Sequence, residues 1–104
     1  MAEHTFAGNI KCRDGSKILP QATLRIMEYD AGEDDQILII PLHRGKENPY
    51  KTWWESAVYV YEEFDWIWND GAEVYYQFLH VCFEGQQVEI APEIDGNKDK
   101  EYII

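Results

Sequence analysis

The sequence predicts an all-β fold, a small antiparallel β-sandwich of about six to seven strands. Three observations carry that expectation. Apolar and polar residues alternate with a period of two in several separate segments, the pattern of half-buried strands. Aromatic residues make up 14% of the chain, and Val, Ile, Tyr, Phe and Trp are the residues that fit a pleated, half-buried surface. Gly, Pro, Asn and Asp then cut the chain into strand-sized pieces. With 104 residues, one domain spanning 1–104 is expected, because a second core would be too small to stand alone.

The elements follow in order. From Phe6, the residues Phe6, Gly8, Ile10 and Cys12 share one face, and Ala7, Asn9, Lys11 and Arg13 share the other. Asp14-Gly15 ends this strand in a turn. After Pro20, a second strand places Ala22, Leu24 and Ile26 inward and Thr23, Arg25 and Met27 outward. An acidic loop from Asp30 to Asp35 follows. Ile37 to Leu42 is apolar throughout and reads as a third, more deeply buried strand. Trp53 to Trp68 fits two descriptions. As a helix begun at Asn48-Pro49, it carries an apolar stripe of Trp53, Ala57, Val60, Tyr61, Phe64, Ile67 and Trp68. As a strand, it groups Val58, Val60, Phe64, Trp66 and Trp68 on one face. Composition and the hairpin signal Asn69-Asp70-Gly71 favour the strand. An α+β fold, with 49–68 helical, stays open as the alternative. Val74 to Phe83 reads as a further strand, with Val74, Tyr76, Phe78, His80 and Cys82 on one side. A turn near Gly85 leads to a short strand with Val88 and Ile90, ended by Pro92. Asp95 to Glu101 reads as solvated. Ile10, Leu24, Ile26, Ile39, Phe78 and Val88 are the expected core.

Charge narrows the range of partners. Twenty acids stand against nine bases, for a formal net charge of −11. Such a surface repels phosphate backbones and anionic membranes, so no direct nucleic-acid contact is expected. It suits a protein partner with a basic surface. No apolar run approaches the roughly 20 residues of a membrane-spanning helix. Met1-Ala2-Glu3-His4 lacks the basic and apolar regions of a signal peptide. The expectation is either a cytosolic protein or a mature N-terminus behind an added Met. Cys12 and Cys82 form no C-x-x-C pair, and their number permits one disulfide. Both lie on inward strand faces, so a Cys12–Cys82 disulfide is expected.

The most distinctive segment runs from Thr52 to Asn97. It holds ten acids, eleven of the fifteen aromatics and no Lys or Arg. One reading is a dense aromatic core whose strands have acidic outer faces. The other is an acidic-aromatic docking surface, in which Tyr and Trp anchor and carboxylates steer a basic partner. On the second reading Glu62, Glu63, Asp65, Trp66 and Asp70 are the candidate binding residues. Carboxylates at alternate strand positions, such as Glu63 and Asp65, recur about every 6.6 Å, a spacing that can imitate a nucleic-acid backbone.

Other chemistry finds little footing. Asp30, Glu33, Asp34 and Asp35 offer hard oxygen ligands, but a solvated turn accounts for them. Asp95-x-Asn97-x-Asp99 opens like an EF-hand loop, yet Lys100 occupies its glycine position. His4, His43 and His80 match no zinc-ligand spacing with the two cysteines, so no metal or other cofactor is expected. The two serines, Ser16 and Ser56, lie outside any nucleophile motif. Glu62 and Glu63 are adjacent and face opposite ways on a strand, so they form no acid–base pair. The chain reads as non-enzymatic.

The run Gly8-x-Ile10-x-Cys12, then Leu19-Pro20-x-Ala22-x-Leu24-x-Ile26, then Asp30-x-Gly32-x-Asp34-Asp35 resembles the opening of transthyretin-like β-sandwiches of the secreted nematode type. His80-Val81-Cys82 and Val88-x-Ile90-x-Pro92 follow in matching order, so the likeness covers 6–37 and 78–92. The resemblance implies an extracellular binding or bridging protein without catalysis, and a disulfide between the two cysteines. The rival class is a cytosolic acidic inhibitor: a phage anti-defence protein such as an anti-CRISPR, or a toxin-immunity protein, that occupies a basic nucleic-acid-binding site.

Overall fold

The computed structural model of the chain describes residues 2–29, 34–42, 48–60, 74–93, 96 and 99–104. Among them are seven strands: β1 Ala2–Lys11, β2 Thr23–Glu28, β3 Asp35–Pro41, β4 Lys51–Val60, β5 Val74–Leu79, β6 Gln87–Ile90 and β7 Glu101–Ile103. No helix occurs among the described residues, and the fold is an all-β sandwich. One sheet has the order β4-β1-β7 and the other β3-β2-β5-β6. The β1–β4 ladder is antiparallel over ten pairs, from Ala2↔Val60 to Lys11↔Lys51. Among the described strands, only β7 runs parallel to its neighbour, β1.

Facing side chains of the two sheets make one core. Phe6 and Ile10 of β1, Trp54 of β4 and Tyr102 of β7 meet Leu24 and Ile26 of β2 and Val74, Tyr76 and Phe78 of β5. The centre is aromatic. The Trp54 ring centroid lies 5.4 Å from Tyr76 at 88° and 5.5 Å from Phe78 at 63°. These are edge-to-face geometries, which stabilise beyond simple area burial. The Trp54 indole N–H donates to the Tyr76 hydroxyl at 3.3 Å, so the polar tips of both rings are served inside the core. Gly8, paired with Trp54 across the ladder, leaves the space these rings need. A Cβ there would stand 2.7 Å from the Tyr102 ring and 3.1 Å from the Trp54 ring.

Cys12, just past β1, and Cys82, in the loop after β5, are joined by a disulfide with a Cα–Cα distance of 5.8 Å. It ties the two sheets together at one end. The expected pairing is therefore present, although Cys82 gets there by an unexpected path. The strand stops at Leu79 instead of running to Phe83, because His80 adopts φ +53°. This left-handed residue breaks the alternation, so Val81 turns fully inward. The loop is held by its own polar groups. His80 Nδ1 accepts the Gly85 N–H at 2.8 Å, and the Gln86 side-chain oxygen accepts the Cys82 N–H at 2.8 Å.

Several other expectations need correction. Over Lys51–Val60 the chain is a strand, which removes the helix from that part of 49–68; the rest of that segment and its Asn69-Asp70-Gly71 turn lie outside the described residues. β3 is an edge strand and no deeper than its neighbours, with burial from exposed to half-buried along its length. Ile39 is 50% exposed because it pairs with Arg25 on the outer face. A uniformly apolar run conceals which face is inside. Ile26 pairs with Leu38 but Met27 pairs with Gln36, so Ile37 is an extra, bulged residue. Met27, expected outward, is buried, as is Ala7. Val88 faces the core opposite Phe78, but β6 is an edge and leaves it half-buried. Finally, the stretch expected to be solvated ends in strand β7, where Glu101 begins the strand and Tyr102 is buried.

Two outcomes check this core. Leu24→Ala should cost about 2–5 kcal/mol in chemical denaturation, whereas Ile39→Ala should cost less than about 1 kcal/mol; equal costs would mean that the faces of β2 and β3 are misassigned. Alkaline pH should also unfold the protein. The hydrogen bond to Asp34, aided by burial, raises the Tyr75 hydroxyl to about 12, and burial raises Tyr76 and Tyr102 as well. Each folded-state value exceeds the unfolded value of about 10. Their contribution is therefore complete below about pH 10 and is lost as pH rises through the folded values. Denaturation midpoints should fall from about pH 10 upward, and Tyr75→Phe should flatten part of that fall.

Candidate binding surface

The residues with the most to offer a partner sit on and beside the outer face of the β4-β1-β7 sheet. Strand alternation puts them there. Thr52 and Trp54 point into the core, so Lys51, Trp53 and Glu55 point out and are exposed. Trp53 is 73% exposed. Its cross-strand neighbour is Asn9, and Lys51 lies opposite Lys11. Two like charges directly opposite each other are destabilising. Glu101 of β7 resolves this, reaching Lys11 Nζ with one carboxylate oxygen and Lys51 Nζ with the other, each at 3.2 Å. Its hydrogen bonds to Lys51 and Lys11 hold its carboxyl below the usual range.

Next to this row, at the disulfide end, lies an open cleft of about 570 Å³ lined by Lys11, Cys12, Arg13, Gly15, Tyr50 and Ile103. Its walls are positioned by backbone hydrogen bonds. The Arg13 N–H donates to the Ile104 carbonyl at 2.6 Å, and the Ile104 N–H donates to the Lys11 carbonyl at 3.1 Å. Gly15, at φ +81°, allows the turn whose N–H returns to the Cys12 carbonyl. On the far wall, the Ile18 N–H donates to the Pro49 carbonyl at 2.8 Å, and the Asn48 side chain accepts the Tyr50 N–H at 3.0 Å. Tyr50 is left half exposed, with Lys17 Nζ 6.0 Å from its ring centroid.

Basic residues concentrate at this end. Four of the six Lys and Arg residues among the described ones, Lys11, Arg13, Lys17 and Lys51, gather around Tyr50 and Trp53. Tyr, Trp and Arg are the side chains that most often dominate binding energy at interfaces. Both cysteines are consumed by the disulfide, and His80 Nδ1 already accepts a backbone N–H. Among the described residues, no group of three or more His, Cys, Asp or Glu could hold a metal ion.

Glu62, Glu63, Asp65, Trp66 and Asp70, the candidates from the acidic-aromatic segment, lie outside the described residues, as do Asp30 and Glu33. Asp34 accepts a hydrogen bond from the Tyr75 hydroxyl across the sheet. Composition alone did not single out Trp53, Tyr50 or Arg13. The signal for Trp53 was nonetheless present: two adjacent tryptophans on a strand point to opposite faces, so burying one exposes the other. No family model, curated protein or solved structure matches the chain.

Proposed function

We propose that the chain is a non-enzymatic binding protein of the transthyretin-like kind, working in an oxidising, extracellular setting. It engages another protein through aromatic side chains set among charges on the outer face of a three-stranded sheet. The observation that carries the reading is Trp53, a large apolar ring left 73% exposed on a regular strand. Folding leaves that surface in water, and a partner that covers it recovers the burial energy. Glu55 beside it makes the patch selective, since an apolar partner without a matching charge would bury that carboxylate unpaired. On composition alone, Glu62, Glu63, Asp65, Trp66 and Asp70 remain proposed binding residues, suited to a basic partner.

The Cys12–Cys82 disulfide supports the extracellular setting, because cytosolic thiol pools keep such pairs reduced. It weighs against the cytosolic inhibitor. Natively sourced protein should therefore show no free thiol on non-reducing mass analysis. Binding kinetics to a partner captured from the source's extracellular fluid should show a faster off-rate for Trp53→Ala, by about tenfold or more, with the on-rate little changed. An unchanged off-rate, or two free thiols, contradicts the proposal.

A further inference from the structure

We infer, resting on the reading of Trp53 as a docking anchor, that its occupant is a second copy of this chain, paired antiparallel through the free edge of β4 about a two-fold axis at Trp53. Every sheet edge offers unpaired N–H and C=O groups to a new strand. Among the described residues, the four edges differ in how well they offer them. β6 has four residues, and β7 has three. β3 is interrupted by the Ile37 bulge and ends in Pro41, both of which blunt an edge. β4 is ten residues long, pairs with β1 on one side only, and shows no register shift along that ladder.

The side chains on β4 decide the partner. In an antiparallel pair centred on residue 53, Lys51 stands opposite Glu55 of the second copy, and Glu55 opposite its Lys51. Trp53 stands opposite its own copy. All three side chains lie on the outer face and are exposed. The segment is therefore self-complementary under the one operation that relates two identical strands, as a two-fold interface requires. Opposite charges and aromatic pairs directly across a ladder both stabilise it. Lys51 also bonds Glu101 of β7, and its ammonium group has further donors for a second carboxylate. The result is a continuous six-stranded sheet, β7-β1-β4 joined to β4-β1-β7 of the second copy. A net charge of −11 per chain opposes association at long range, but at physiological salt charges beyond about 8 Å are largely screened, while the contact pairs still act.

The experiment is sedimentation equilibrium of the full chain at about 0.15 M salt, using wild type, Trp53→Ala, Lys51→Glu and Glu55→Lys, each checked for its fold by circular dichroism. Wild type should dimerise. Trp53→Ala should weaken the dimer at least about tenfold. Lys51→Glu alone places acid against acid, and Glu55→Lys alone places base against base, so each should be monomeric. Mixed in equal amounts, they should form a heterodimer in which both charge pairs are restored. A monomeric wild type, with a Kd above about 1 mM, overturns the inference but leaves Trp53 to dock a different protein. A dimer indifferent to all three substitutions, or no heterodimer on mixing, places association elsewhere and also overturns it.

Discussion

The contact between Trp54 and Tyr76 is the constraint on which the rest of this sandwich depends. It joins the middle of β4 to the middle of β5 across the gap between the sheets, edge to face, with the indole N–H donated to the phenol oxygen. Phe78 and Tyr102 pack on the same indole. A strand can slip by one residue along its neighbour only if every one of its side chains changes face. A large ring with a hydrogen bond at its tip has one place to go, so Trp54 fixes the register of β4. Gly8 completes the fit, because any side chain on β1 at that point would collide with the rings.

What is fixed inside determines what is offered outside. With Trp54 inward, Trp53 is outward, and Lys51 and Glu55 are carried onto the same face. At the end of the same sheet, the Cys12–Cys82 disulfide holds the exit of β1 against the loop after β5. In the chain-entropy model, closing a loop of about 70 residues stabilises the fold by roughly 4 kcal/mol. That closure keeps Arg13 and the Gly15 turn beside Tyr50, so the basic cleft and the Trp53 row form one surface. Lys11, Arg13, Lys17 and Lys51 lie there beside Glu55 and Glu101, so the contact zone carries charges of both signs in a molecule that is acidic as a whole.

Where the hydrophobic period was clear, the fold was legible. Phe6, Ile10, Leu24, Ile26, Tyr76 and Phe78 recur at every second position or multiples of it within their strands, and all are fully buried. Legibility failed where alternation carried no information or was broken by geometry. Ile37 to Ile40 are all apolar, so nothing local reveals that Ile39 faces water or that Ile37 is bulged. His80 has an ordinary strand sequence around it, and its left-handed backbone is set by the Gly85 and Gln86 hydrogen bonds that close the loop. β7 was hidden because three residues are too few to show a period, and its parallel pairing with β1 is a long-range event. The binding surface was legible only in part. Composition pointed to aromatic residues among charges, but Lys11, Lys51 and Glu101 are brought together by pairing between strands distant in sequence.

A double-mutant cycle on Trp54 and Tyr76 tests the account at its centre. Stability would be measured by chemical denaturation for Trp54→Phe, Tyr76→Phe and the double variant. Each single change removes one partner of the inter-sheet hydrogen bond and alters the ring pair. A coupling energy of about 1 kcal/mol or more is expected, from the hydrogen bond and the edge-to-face contact together. Additivity within about 0.3–0.5 kcal/mol would show that the two rings do not clamp the sheets, and with them the placement of Trp53 would lose its cause.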